Sequence, residues 1–174
     1  MRSFIALPLP LKLKKKIYEK VRDLKIPGVK LVEEENYHIT LLFLGDIPEE
    51  EIETIKQALK SIDMEKKELT IKSYGFFPKQ KPRVVWLGVE PHEYLEALHR
   101  EVVKAVGVMP DKPFQPHITI ARIRDYSLNS AELIVKRIHD LKGESFIADR
   151  IILYESKLTS RGPIYREISI HELK

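Results

Sequence analysis

A ten-residue segment of this chain recurs about 79 residues later, and that repeat constrains the fold more than any other feature. Tyr37-His38-Ile39-Thr40-Leu41-Leu42-Phe43-Leu44-Gly45-Asp46 is echoed by Pro116-His117-Ile118-Thr119-Ile120-Ala121-Arg122-Ile123-Arg124-Asp125. His, Ile, Thr and the closing Asp coincide. Each segment reads as a strand, because it is rich in β-formers and ends on turn residues. Each follows a strand, a helix and a loop, and each precedes a helix and a strand. The chain is therefore expected to be one domain, 1–174, of two repeated lobes. They run about 1–80 and 83–174, with strands free to be exchanged between them. Side chains alternate along a strand, so His38 and Thr40 share a face, as do His117 and Thr119. A pseudo-two-fold would turn both pairs into one cleft. A chance His-x-Thr is expected roughly 0.2 times in a chain of this composition, so two in equivalent places are unlike coincidence.

The remaining elements follow from periodicity. Strands are expected at Ser3–Leu9, Val29–Val32, Tyr37–Leu44, Leu69–Phe77, Arg83–Glu90, His117–Ile123, Phe146–Tyr154 and Ile164–Ile170. Leu11–Leu24 carries Leu13, Ile17, Tyr18, Val21 and Leu24 at helical spacing, with lysines between. Pro48 opens a second helix whose first turn holds Glu49, Glu50 and Glu51, which suit its dipole. His92–Val106 and Asn129–Leu141 complete the helices.

Composition removes several function classes. There is no cysteine, which excludes a disulfide framework, a cysteine zinc site and a thiol nucleophile. The histidines lack ligand spacing, so no metal site is expected. No Gly-rich phosphate loop is present, which disfavours a nucleotide-driven ligase or kinase. A net charge of +4 is compatible with a phosphate-bearing partner without demanding one. No apolar run reaches the length of a membrane span, and the N-terminus does not read as a signal peptide, so a cytoplasmic protein is expected. The Lys/Glu-rich, cysteine-free composition leans toward a thermophile.

At these residues the chain resembles the 2H phosphoesterase superfamily, which is named for two His-x-Thr/Ser-x motifs. Within it, the chain is most similar to the bacterial and archaeal RNA 2′,3′-cyclic phosphodiesterases, the LigT-like family first described as 2′-5′ RNA ligases. Besides the motifs, the similarity includes Phe4-Ile5-Ala6, Gly75-Phe76-Phe77-Pro78 and Pro82 through Val89. It continues through Phe114-Gln115-Pro116, Tyr154 through Leu158, and Gly162-Pro163-Ile164-Tyr165. The resemblance implies a bilobal α+β fold, with two antiparallel sheets facing a central cleft and helices outside. It implies hydrolysis of RNA 2′,3′-cyclic phosphate ends, such as those of tRNA fragments, to 2′-phosphate. It implies no cofactor and no metal. A cleft built within one chain gives no reason to require a dimer, so a monomer is expected.

By the same resemblance His38 is the proton donor and His117 the proton acceptor; the near-symmetric motifs do not themselves divide those roles. Thr40 and Thr119 would donate to the non-bridging phosphate oxygens. Arg122 matches an arginine that contacts substrate, and Phe43, at the same offset in the first motif, is placed to stack on a base. Both stand five residues after their histidine, an odd offset that on a flat strand points away from the cleft. A bend, a bulge or, for Arg122, the length of the side chain would be needed to bring them back. Plainer readings compete. The histidines are core residues, Arg122 is half of a surface ion pair, and Phe43 is core packing. Lys79, Lys81, Arg83, Lys157 and Arg161 are either solvated loop residues or guides for RNA backbone. His92, His99, His139 and His171 read as surface or packing residues. Two other functions stay open at this point. One is a 2H reaction on a small cyclic nucleotide or an ADP-ribose cyclic phosphate; the other is a non-catalytic RNA-end binding module.

Overall fold

Amphipathic helices and alternating strands can bury their apolar faces together only by stacking in layers. The computed structural model, which describes residues 1–174, does so with nine strands and four α-helices. In order these are β1 (Arg2–Pro8), α1 (Leu11–Val21), β2 (Val29–Leu31), β3 (His38–Asp46), α2 (Glu49–Lys60), β4 (Lys67–Phe77) and β5 (Val84–Glu90). They continue with α3 (His92–Val106), β6 (His117–Ile123), α4 (Leu128–Ile138), β7 (Ser145–Ala148), β8 (Arg150–Thr159) and β9 (Gly162–Glu172). Leu13, Ile17 and Val21 of α1, Ile52, Ile55 and Leu59 of α2, and Leu95, Leu98 and Val102 of α3 lie inward at helical spacing. They pack on one face of the sheet and form its main core with Ile39, Leu41, Ile118 and Ile120.

The α+β class with antiparallel strands is as expected, and the two expected sheets prove to be continuous. The order is β7-β4-β5-β6-β3-β1-β8-β9, with β2 also paired to β6, in one curled sheet. A single residue pair, Ile39 with Ile118, joins β3 to β6 at its centre. Those two residues are equivalent in the repeat, and antiparallel pairing of equivalent positions is what a local two-fold axis produces. The pairing of the flanking strands is reciprocal across the repeat. β4, which follows α2, pairs with β5, and β8, which follows α4, pairs with β1.

Most strand ends shift by one or two residues from the sequence-based expectation, and three differences have a structural cause. Phe146–Tyr154 is not one strand. It breaks at Asp149, with β7 pairing to β4 at one edge and β8 to β1 in the other half of the sheet. The charged pair Asp149-Arg150, set between two apolar runs, marks that crossing. The first helix ends at Val21 instead of Leu24, because the Leu24 N–H turns back to the Val21 carbonyl at 2.9 Å. The last helix begins after Ser127, whose hydroxyl accepts from the Ser130 N–H at 3.1 Å. It tightens into a 3-10 turn over His139–Leu141.

Candidate active site

Both motif strands carry a β-bulge at the same place. On β3 the pairing passes from Ile5↔Leu42 to Ala6↔Thr40, leaving Leu41 unmatched. On β6 it passes from Val85↔Ala121 to Trp86↔Thr119, leaving Ile120 unmatched. Two consecutive residues then point into the core, Leu41 with Leu42 and Ile120 with Ala121. The alternation resumes one step out of phase. Phe43 and Arg122 therefore return to the open face that carries the histidines and threonines, and the odd-offset difficulty is removed. The histidines are half-buried on this open face, so the core reading fails for them. Phe43 is 68% exposed, which excludes core packing. Arg122 takes part in no ion pair, so that reading fails as well.

The two imidazoles are held alike. His38 Nδ1–H donates to the Asn36 carbonyl at 2.7 Å, and His117 Nδ1–H donates to the Gln115 carbonyl at 2.6 Å. A carbonyl only accepts, so each ring keeps its proton on Nδ1 when neutral and turns a lone pair on Nε2 to the cleft. The second nitrogens differ. His38 Nε2 accepts from the Thr40 hydroxyl at 2.8 Å, whereas His117 Nε2 and the Thr119 hydroxyl have no partner. Gly88 stands opposite His117, and a Cβ there would collide with Ser73 Oγ.

Aromatic rings enclose the pair. Phe4 lies 5.1 Å from His38 between centroids, and Tyr165 meets the same ring edge-on at 5.4 Å. Phe77 meets His117 edge-on at 5.7 Å. Phe4, Ala6, Ile152 and Tyr154 form a small apolar cluster on this face, with Tyr165 packed against it. Loss of hydration pushes the His38 pKa down to about 4, and the positive charges of His117, Arg122 and Lys14 act in the same direction. His117 is lowered for the same first reason, with Arg122 contributing. The field of Arg122 thus reaches both rings. No group of three or more His, Asp or Glu side chains converges anywhere in the chain.

Sequence reasoning missed Asn36, Phe4, Tyr165 and Gln115 as parts of the site. Asn36 is buried, its backbone oxygen orients His38, and its side-chain amide donates to the Pro163 carbonyl at 2.8 Å. That bond ties the β8–β9 hairpin, and with it Tyr165, to the first motif. It joins residues far apart in the chain, so no local pattern announces it. Lys79, Lys81, Arg83, Lys157 and Arg161 lie in exposed or half-open loops and strand ends, and none pairs with the site residues.

Comparison with known proteins points the same way. The model of the family described as "2'-5' RNA ligase superfamily" matches residues 13–159. An RNA 2',3'-cyclic phosphodiesterase from Archaeoglobus fulgidus is 34% identical, covering 99% of this chain and 100% of that protein. One from Aquifex aeolicus is 40% identical, covering 82% of this chain and 80% of its own length. Among solved structures, a phosphoesterase aligns over 99% of this chain and 97% of its own with a TM-score of 0.81. At 23% identity that likeness speaks for the fold.

Proposed function

Because the chain belongs to the 2′-5′ RNA ligase superfamily, we propose that its cleft hydrolyses the 2′,3′-cyclic phosphate at an RNA end to a 2′-phosphate by two-histidine acid–base catalysis. The observation that carries the reading is the pair of equivalent imidazoles, each locked with Nε2 toward one cleft and with hydroxyls beside them.

Opening the ring needs two proton transfers on opposite sides of phosphorus, because attack and departure are in line. His117 Nε2, which has no partner, takes the proton of the attacking water. His38, protonated on Nε2, gives its proton to the departing 3′-oxygen. One P–O bond forms as the other breaks, and the phosphate stays on the 2′-oxygen. Thr40 and Thr119 donate to the non-bridging oxygens, which gain charge in the transition state. Arg122 offsets that charge, and Phe43 offers an exposed ring to a base. Burial lowers both histidine pKa values and so favours the neutral rings without ligand. A bound phosphate anion raises them, so the substrate itself loads the acid. If a 5′-hydroxyl replaces water, the same step produces a 2′-5′ linkage. The cleft is complete within one chain, which supports a single-domain enzyme active as a monomer.

A short RNA ending in a 2′,3′-cyclic phosphate, incubated with the protein in EDTA, is expected to end as the 2′-monophosphate, resolved chromatographically from the 3′-isomer. A 3′-phosphate product, or no conversion, would refute the reading.

A further inference from the structure

A groove lies along β2, the strand paired to the second motif strand. It has a volume of about 540 Å³ and runs between the end of α1 and the strand β2. Tyr18, Leu24, Ile26 and Pro27 make its apolar part, and Arg22 and Lys25 stand along it. Its link to the site is a matter of register. Lys30 of β2 is directly opposite Arg122 of β6. Val29 and Leu31 pack against the main core, so Lys30 shares the open face with Arg122. Lys30 also lines the groove, so the cations run from Arg122 through Lys30 to Arg22 and Lys25. Glu33 is the groove's single acidic residue, and it is paired with Lys30 at 3.3 Å. Arg22 and Lys25 are left uncommitted. β2 pairs on one side alone, with β6, so its other edge is open to hydrogen bonding.

Apolar surfaces interleaved with cations are what single-stranded nucleic acid needs: bases lie on the former and phosphates meet the latter. We propose that this groove is a subsite for the RNA strand beyond the reacting nucleotide, entered over Lys30. This rests on the cyclic-phosphate reading of the cleft. The discriminating experiment compares a nucleoside 2′,3′-cyclic monophosphate with a hexaribonucleotide carrying the same terminus. Wild-type protein is measured beside the Arg22→Gln/Lys25→Gln double variant. In wild type the hexamer is expected to have a kcat/KM about tenfold higher at low salt. The variant loses most of that advantage and keeps its rate on the mononucleotide. The slope of log kcat/KM against log salt for the hexamer falls by about 1.4, two cations at roughly 0.7 each. Equal rates on both substrates, or a variant that slows both alike, would overturn the subsite. Failure of wild type on both would sink the cyclic-phosphate reading, and the subsite with it.

A separate observation concerns His99 on α3. Its Nδ1–H donates at 2.7 Å to the carbonyl of Leu41, the bulged residue of the first motif strand. The other side of the link is a stack. The His99 ring lies 4.2 Å from the Phe114 ring, 2° from parallel. Phe114 leads into Gln115, whose carbonyl orients His117. We infer that His99 is a positioning residue that holds both motifs in one frame from behind the sheet. His99→Phe keeps a ring and loses the donor; His99→Gln keeps a donor. The first is expected to lower kcat about tenfold with KM within twofold, since small displacements of reacting groups are costly. It should also shift the NMR titrations of both His38 and His117, and His99→Gln should restore part of both. A lower Tm with kcat and both titrations unchanged would reduce His99 to packing.

Discussion

Replacing His38 or His117 with alanine is expected to lower kcat by about 10²–10⁴ each, the usual worth of a positioned acid or base. The double variant should fall little further than the worse single one, because the two proton transfers belong to one step and their losses do not add. The structure limits side effects. Both side chains stand on the open face, outside the main core. Tm should therefore change little, and a lost rate would report on chemistry. KM should move less than kcat, since the phosphate keeps Thr40, Thr119 and Arg122. Steady-state kinetics on a cyclic-phosphate RNA, with thermal unfolding alongside, checks this. A variant that keeps wild-type turnover would remove that histidine from the reaction.

The threonines carry the second large effect. Thr40→Val and Thr119→Val are each expected to cost about 10²–10³ in kcat, the scale measured for one donor to a developing oxyanion. They should differ in one respect. The Thr40 hydroxyl is already bonded to His38 Nε2 at 2.8 Å, while the Thr119 hydroxyl has no partner. Thr40→Val therefore removes a histidine contact as well, and it alone should alter the pH profile of kcat/KM. Rates for both variants across pH 4–9 test the asymmetry (a pH window chosen to span the ordinary histidine pKa of about 6.5). Identical profiles would mean that the bond to His38 has no role in turnover.

The placing of His38, Thr40, His117 and Thr119 on one face was legible in the sequence because its signals are local. His and Thr two apart share a strand face, and a repeated motif implies a pseudo-two-fold. The structure places Ile39 against Ile118 on that axis. The faces of Phe43 and Arg122 were not legible. Period-two reasoning points both away from the cleft, and the bulges at Leu41 and Ile120 that reverse it arise from cross-strand pairing. His99 looked like packing for a similar reason, since its partner Leu41 lies far off in the chain. The break at Asp149 has only the charged pair Asp149-Arg150 as its sign in the sequence, and a polar pair inside a strand-like segment does not by itself separate two strands. It separates a strand that joins β4 from one that joins β1, a choice made by tertiary contacts. Tyr165 and Asn36 belong to the same class, because what makes them part of the site is the docking of the β8–β9 hairpin on the first motif.

The central claim is that His38 and His117 divide the work as acid and base, and a bridging-sulfur substrate tests it most directly. In an RNA 2′,3′-cyclic phosphate with sulfur in place of the 3′-oxygen, the leaving group needs no proton. His38→Ala is expected to recover most of its lost rate on that substrate, while His117→Ala stays slow because the attacking water still needs a base. Recovery of both variants, or of neither, would contradict a division of labour between the two histidines.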